Sequence, residues 1–236
     1  MKNIFIVLIV LTVQLGYANQ NDSFFKKADQ FFSTFVKNGK VDYKAIQSDP
    51  SSLNELVGLI ESAEVNSSQV LGYQAFYINT YNLLVIKGVI ANYPINSPLD
   101  IGGFFDKTKY IVAGNKLTLN DIENKILRAE FPEEARFHFV LVCAGLGCPP
   151  IIDEAYKPSK LTEQLQRQTE LAINDPNFIK VKGNKVQISQ IFEWYKKDFT
   201  QKGSEIEFIN KYREEKLPQG AKLSYYPYDW KLNDIK

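Results

Sequence analysis

Residues 68–92, SQVLGYQAFYINTYNLLVIKGVIAN, form the longest continuous apolar pattern in the body of the chain. The pattern predicts one central helix, stopped by Pro94, which cannot continue a helix. At 100° per residue, Leu71, Ile78, Asn79, Asn82, Val85, Ile86 and Val89 share one stripe. Asn79 and Asn82 therefore point to the apolar side. A buried amide without partners costs about 1–3 kcal/mol, so each needs hydrogen bonds. Two readings fit: a network tying the helix to a loop or strand, or a polar pocket built into the core.

Working outward, residues 22–38 place Phe24, Phe25, Ala28, Phe31, Phe32, Phe35 and Val36 at helical spacing. Asp22 or Ser23 suits the start and Gly39 the end. Val41-Asp42-Tyr43 reads as a short extended link. A helix from Ser51 or Ser52 to about Ala63 follows. Beyond Pro94 the period switches to two. Tyr110 to Leu119 reads as a β-hairpin turning at Gly114-Asn115, and a helix from Asn120 to Glu130 follows. Phe137 to Cys143 (FHFVLVC) is apolar on both faces except His138, which predicts a buried central strand. A helix over 159–173 precedes a second hairpin, Phe178 to Ile188, turning at Gly183-Asn184. Helices at about 189–199 and 204–213 and a short strand near 222–226 complete the pass. Both hairpins use a Gly-Asn-Lys turn and a cap residue, Asn120 or Ser189, that launches a helix. No linker divides the chain after residue 18. The expectation is one domain over 19–236, α+β, with a helical N-terminal half. Its long central helix packs against a small mixed or antiparallel sheet with two β-hairpins.

The 236 residues are 44% hydrophobic and 23% charged, which excludes a disordered or collagen-like chain. Residues 1–18, MKNIFIVLIVLTVQLGYA, carry Lys2, an apolar run from Ile4 to Leu15 and a small-x-small end at Gly16-Tyr17-Ala18. That is a signal peptide cleaved after Ala18, and the run falls short of the ~20 residues needed to span a membrane. The expected location is periplasmic or extracellular, an oxidising compartment, with no stable membrane insertion after cleavage. Without Lys2, 27 basic residues face 27 acidic ones, so nothing favours nucleic acid. Two Cys, one His and one Met leave little for a metal site, and neither a metal nor a cofactor is expected.

Three features carry chemistry. His138, the only His, sits in an apolar run. Strand parity groups it with Val140 and Val142, sets Cys143 on the opposite face, and makes Arg136 a polar neighbour. Cys148 follows Ala144-Gly145-Leu146-Gly147 and precedes Pro149-Pro150. A helix beginning at Pro149 would make Cys148 its N-cap, which lowers a thiol pKa. The two glycines let the loop fold back towards His138, allowing a Cys–His pair for acyl transfer. The oxidising compartment and the presence of just two Cys, five apart, lean instead to a Cys143–Cys148 disulfide, with an inert buried thiol as a further alternative. Glu123, Arg128 and Arg136, with Asp121, either line a pocket or form a solvated face.

Several motifs together resemble the bacterial domain of unknown function 547 family. They are Val41-Asp42-Tyr43; AFYINTYN (Ala75 to Asn82); Asp121-Ile122-Glu123 with Leu127-Arg128; Arg136-x-His138; Cys143 with Cys148-Pro149-Pro150; Ser189-x-x-Phe192-x-Trp194-Tyr195; and Tyr228-Asp229-Trp230-x-Leu232-Asn233. Tyr77 departs from the tryptophan common in the family, an aromatic for an aromatic. The resemblance implies an α+β domain, often exported, with eukaryotic relatives joined to glutaredoxin-like domains, and no particular reaction. It also implies that Asn79, Asn82, Arg136, His138 and Cys148 converge.

The resulting expectation is a cysteine-dependent hydrolase or acyl transferase acting on a peptide or amide. Cys148 is the nucleophile and His138 the base, and Asn79 or Asn82 orients the imidazole or donates to an oxyanion. Arg136, Glu123 and Arg128 are the expected binding residues. The rival is a non-catalytic binding or scaffold module with a structural Cys143–Cys148 bridge. A peptide, a protein or a small molecule suits either as partner.

Overall fold

The computed structural model describes residues 22–218 and 220–235; the expected leader at 1–18 lies outside the described residues. The fold is α+β. Helix α1 (residues 22–35) buries Phe24, Phe25, Ala28, Phe31 and Phe32, and runs into β1 (Val36–Lys37). A turn at Asn38-Gly39 pairs β1 with β2 (Lys40–Val41). Asp42 caps α2 (Tyr43–Ser48) by accepting the Ala45 N–H at 2.9 Å. Then come α3 (Ser51–Glu61) and α4 (Val70–Ile90).

Every residue from Tyr73 to Ile86 of α4 is buried, so the helix has no solvent face over that length rather than one apolar stripe. Its main partners are α2, α3 and the helical segment 119–128 instead of a sheet.

Strands β3 (Tyr110–Val112) and β4 (Asn115–Leu117) form the first hairpin. Its turn docks on α3: Ala113 N–H donates to the Ile60 carbonyl at 2.9 Å. Helix α5 (Leu119–Asp121) starts from a reciprocal cap between Thr118 and Asp121, two residues earlier than the expected Asn120. It continues as a π-helical stretch, Ile122–Arg128.

The expected strand over Phe137–Cys143 is absent. Ala135–Phe139 form a 3₁₀ helix, and residues 140–143 run on without a strand partner. An apolar run marks burial, not backbone geometry, and here the backbone's polar groups are satisfied by a side chain. Strand parity therefore does not govern His138 and Cys143. Nor does a helix begin at Pro149: residues 149–152 and 155–157 are irregular, so Cys148 is no N-cap.

Helix α6 (Leu161–Asn174) leads into the second half. Strands β5 (Ile179–Lys182) and β6 (Lys185–Ser189) are the second hairpin, and β7 (Lys222–Tyr226) adds to β6 in parallel, giving a mixed sheet of order β5-β6-β7. The expected helix at 189–199 is two short ones, α7 (Ile191–Trp194) and α8 (Lys196–Phe199), and α9 is Glu205–Tyr212.

The core has two parts. The first gathers α1 to α5 and the start of α6; the second gathers the three-stranded sheet, α7 to α9 and the end of α6. Cys148 packs against both. Among the described residues no helix is long and apolar enough to cross a membrane.

Candidate functional site

The two helix asparagines act as surrogate strand edges. Asn79 donates to the Tyr156 carbonyl at 2.7 Å and accepts the Tyr156 N–H at 3.0 Å. Asn82 donates to the Val140 carbonyl at 2.9 Å and accepts the Val142 N–H at 2.9 Å. Each carboxamide thus offers one donor and one acceptor to a buried, irregular segment, as a neighbouring strand would. The imidazole is held by another group. Asn82 instead fixes the backbone between His138 and Cys143.

His138 is 5% exposed. Its Nε2 lies 2.8 Å from Asp198 Oδ2, and its ring stacks on Tyr195 with centroids 4.0 Å apart. Arg128 completes the cluster: Nε donates to Asp198 Oδ2 at 2.7 Å, a terminal nitrogen donates to Oδ1 at 3.1 Å, and the guanidinium covers the Tyr195 ring at 4.7 Å. Burial pushes the Asp198 carboxyl up, but hydrogen bonds from His138 and Arg128 outweigh it and hold the group well below the usual carboxylate range. A carboxylate on Nε2 requires Nε2 to carry the proton and makes Nδ1 the basic nitrogen. Arg136 is not the partner of His138. It forms a two-point pair with Glu134 at 2.5–2.6 Å.

Cys143 and Cys148 are both free thiols, their sulfurs 2.9 Å apart. Cys148 Sγ accepts from the Cys143 N–H at 3.0 Å and from the Tyr228 hydroxyl at 2.8 Å. Burial raises the Cys148 pKa, yet these bonds, with the Cys143 thiol and the Gly145 backbone, bring it below the ordinary thiol value. The Cys143 thiol is pushed the other way, by its hydrogen bond to Cys148 and by burial. The two shifts run in opposite directions, so Cys148 is the sulfur of the pair that ionises first.

The C-terminal segment fixes this loop. Leu146 N–H donates to the Lys231 carbonyl and Gly147 N–H to the Asp229 carbonyl, both at 2.8 Å. A Cβ on Gly147 would stand 2.7 Å from the Tyr228 ring, so only glycine lets Tyr228 reach the sulfurs. Ala144 adopts a left-handed φ of 63° at the start of the loop.

His138, Cys143, Cys148 and Glu123 line one cavity of about 290 Å³. Its remaining wall is largely aromatic, including Tyr81, Phe105, Trp194, Tyr195, Tyr228 and Trp230. Tyr81 is 2% exposed, and burial pushes its hydroxyl pKa well above the ordinary value. Arg128 stands behind Tyr195, and Arg136 is outside this cavity. Asp198 escaped sequence reasoning because one carboxylate in the charged stretch KKDF carries no local signal. Tyr228 and Trp230 were visible only as parts of a motif. No group of three or more His, Cys, Asp or Glu side chains suited to a metal occurs among the described residues.

No curated protein and no solved structure matches the chain. The matching family model covers residues 71–171, from the first turn of α4 to near the end of α6, and so takes in Asn79, Asn82, Glu123, His138 and both cysteines while Asp198 and Tyr228 lie beyond it. That segment is similar to the family described as Protein of unknown function, DUF547.

Proposed function

We propose that the protein is an exported, thiol-dependent acyl-transfer enzyme, a hydrolase when water is the acceptor, with Cys148 as nucleophile. The observation that carries this reading is the Cys148 sulfur, which accepts two hydrogen bonds and lines the same cavity as a His held by a buried carboxylate. In the reaction, the thiolate attacks the carbonyl carbon of an amide and a C–S bond forms. Collapse of the tetrahedral adduct breaks the C–N bond, and the leaving amine takes a proton from imidazolium Nδ1 of His138. Water then attacks the thioester, His138 accepts its proton, and the acid and the Cys148 thiolate are released. Asp198 fixes the orientation of the ring through its hydrogen bond to Nε2. The Tyr81 side chain lines the same cavity, and its hydroxyl would donate to the oxyanion.

A second reading rests on the 2.9 Å contact between the sulfurs. Thiol–disulfide exchange with an external disulfide would oxidise Cys143 and Cys148 to a bridge, reducing that disulfide to two thiols. The module would then bind rather than catalyse.

Iodoacetamide labelling of the unreduced protein, followed by intact mass against pH, separates the two. Acyl transfer expects one fast-labelling thiol, Cys148, reactive well below the ~8.5 of a free Cys, and slower labelling in His138→Ala. A mass that rises by two hydrogens on reduction, with no labelling beforehand, supports the bridge. Labelling with ordinary alkaline dependence defeats the acyl-transfer reading.

A further inference from the structure

Cys148 lines two cavities at once. One is the aromatic cavity of about 290 Å³; the other is a groove of about 780 Å³ running past Pro149, Pro150, Leu146 and Leu171. No other residue is shared between the two walls. The aromatic cavity lies at the lower end of ligand-pocket volumes, and the groove well inside the range.

The two spaces also differ in charge. The only carboxylate on the aromatic wall is Glu123, and no Lys or Arg lines it. Glu123 makes no ion pair of 4 Å or less among the described residues, while the nearby Arg128 is bound by Asp198. Around it stand ring faces: Trp194, Tyr228 and Trp230 lie with centroids 4.6–5.9 Å apart, and ring faces attract cations. The Tyr81 hydroxyl feels the charges of Glu123, Cys143 and Cys148 together, and all four residues line this one space. Glu123, hydrogen-bonded to Tyr195 and outside any ion pair among the described residues, and the surrounding π faces favour an ammonium group over an anion.

We propose that the substrate is an aminoacyl amide or peptide lying across Cys148. Its terminal residue, carrying a free ammonium group, fills the aromatic cavity against Glu123 and the indoles, and the rest of the chain follows the groove. This rests on Cys148 being the nucleophile. The bond cleaved is then the first amide of the chain, and substrates with a blocked amino end are excluded.

Phenylalanine chloromethyl ketone and its N-acetyl form test the assignment on the full chain. In each, the Cys148 thiolate displaces chloride and a C–S bond forms, and rates are expressed relative to iodoacetamide on the same protein. The free-amine probe should react about tenfold faster than the acetylated one, the size of one partly desolvated cation contact. In Glu123→Gln that ratio should collapse towards one. A measurement needing no variant is protection: phenylalanine amide should slow iodoacetamide labelling, and N-acetylphenylalanine amide should not. Equal probe rates, or faster reaction of the acetylated probe, overturn the assignment while leaving Cys148 a nucleophile. A Cys148 inert to iodoacetamide below pH 8 overturns both.

Discussion

The two halves of the core satisfy buried backbone by different means. In the second, β5, β6 and β7 pair with one another, and Val186 and Ile188 are fully buried within a regular ladder. In the first, the two-stranded pieces are marginal, and a helix does the pairing through carboxamides: Asn79 to Tyr156 and Asn82 to Val140 and Val142. A ladder repeats every two residues and imposes a period. An Asn on a helix fixes one point and leaves the chain on either side free to turn. That freedom permits the left-handed Ala144 and the return of Cys148 onto Cys143. The two free thiols sit at the seam because neither regular system extends there.

The largest test asks whether the halves are separate. Phe192 is fully buried in the second core and Phe76 is 2% exposed in the first. Truncation of either to Ala should cost about 3–5 kcal/mol. Because α6 contributes Leu165 to one core and Ile173 to the other, each variant should still show one cooperative transition. Circular dichroism and the fluorescence of Trp194 and Trp230 should then report the same urea midpoint. Distinct midpoints in Phe192→Ala would break the comparison in its present form.

Asn82→Ala orphans a buried carbonyl and a buried N–H and should cost about 2–3 kcal/mol. Asn79→Ala should cost a similar amount. Only the first should also change thiol reactivity, because only Asn82 holds the segment next to Cys143. Equal effects of both on iodoacetamide labelling would show that the asparagines stabilise the core without positioning the loop.

The smallest effect concerns Asp198, whose carboxylate joins 3₁₀-helical His138 to Arg128 across the seam. Its folded-state pKa is depressed, so its contribution to stability is present above the unfolded value near 3.9 and is lost as pH falls through the folded one. Asp198→Asn should cost about 2 kcal/mol at pH 7. The gap from the unaltered protein should narrow in urea titrations as the carboxyl protonates in acid. A gap independent of pH would mean that packing, not charge, is what Asp198 supplies.

The sequence by itself determined the α+β class, the long helix and the position of both hairpins, because period and turn chemistry are local properties of consecutive residues. It also marked Asn79 and Asn82 as buried amides in need of partners, since helical spacing alone places them. Tertiary structure decided who those partners are. It turned Phe137–Cys143 from a strand into a 3₁₀ helix and a held segment, gave His138 to Asp198 some 60 residues away instead of to Arg136, and lowered the Cys148 pKa through Tyr228 and Cys143 rather than a helix dipole. Those outcomes depend on which distant groups meet in a desolvated seam, and no repeat in the chain encodes such a meeting.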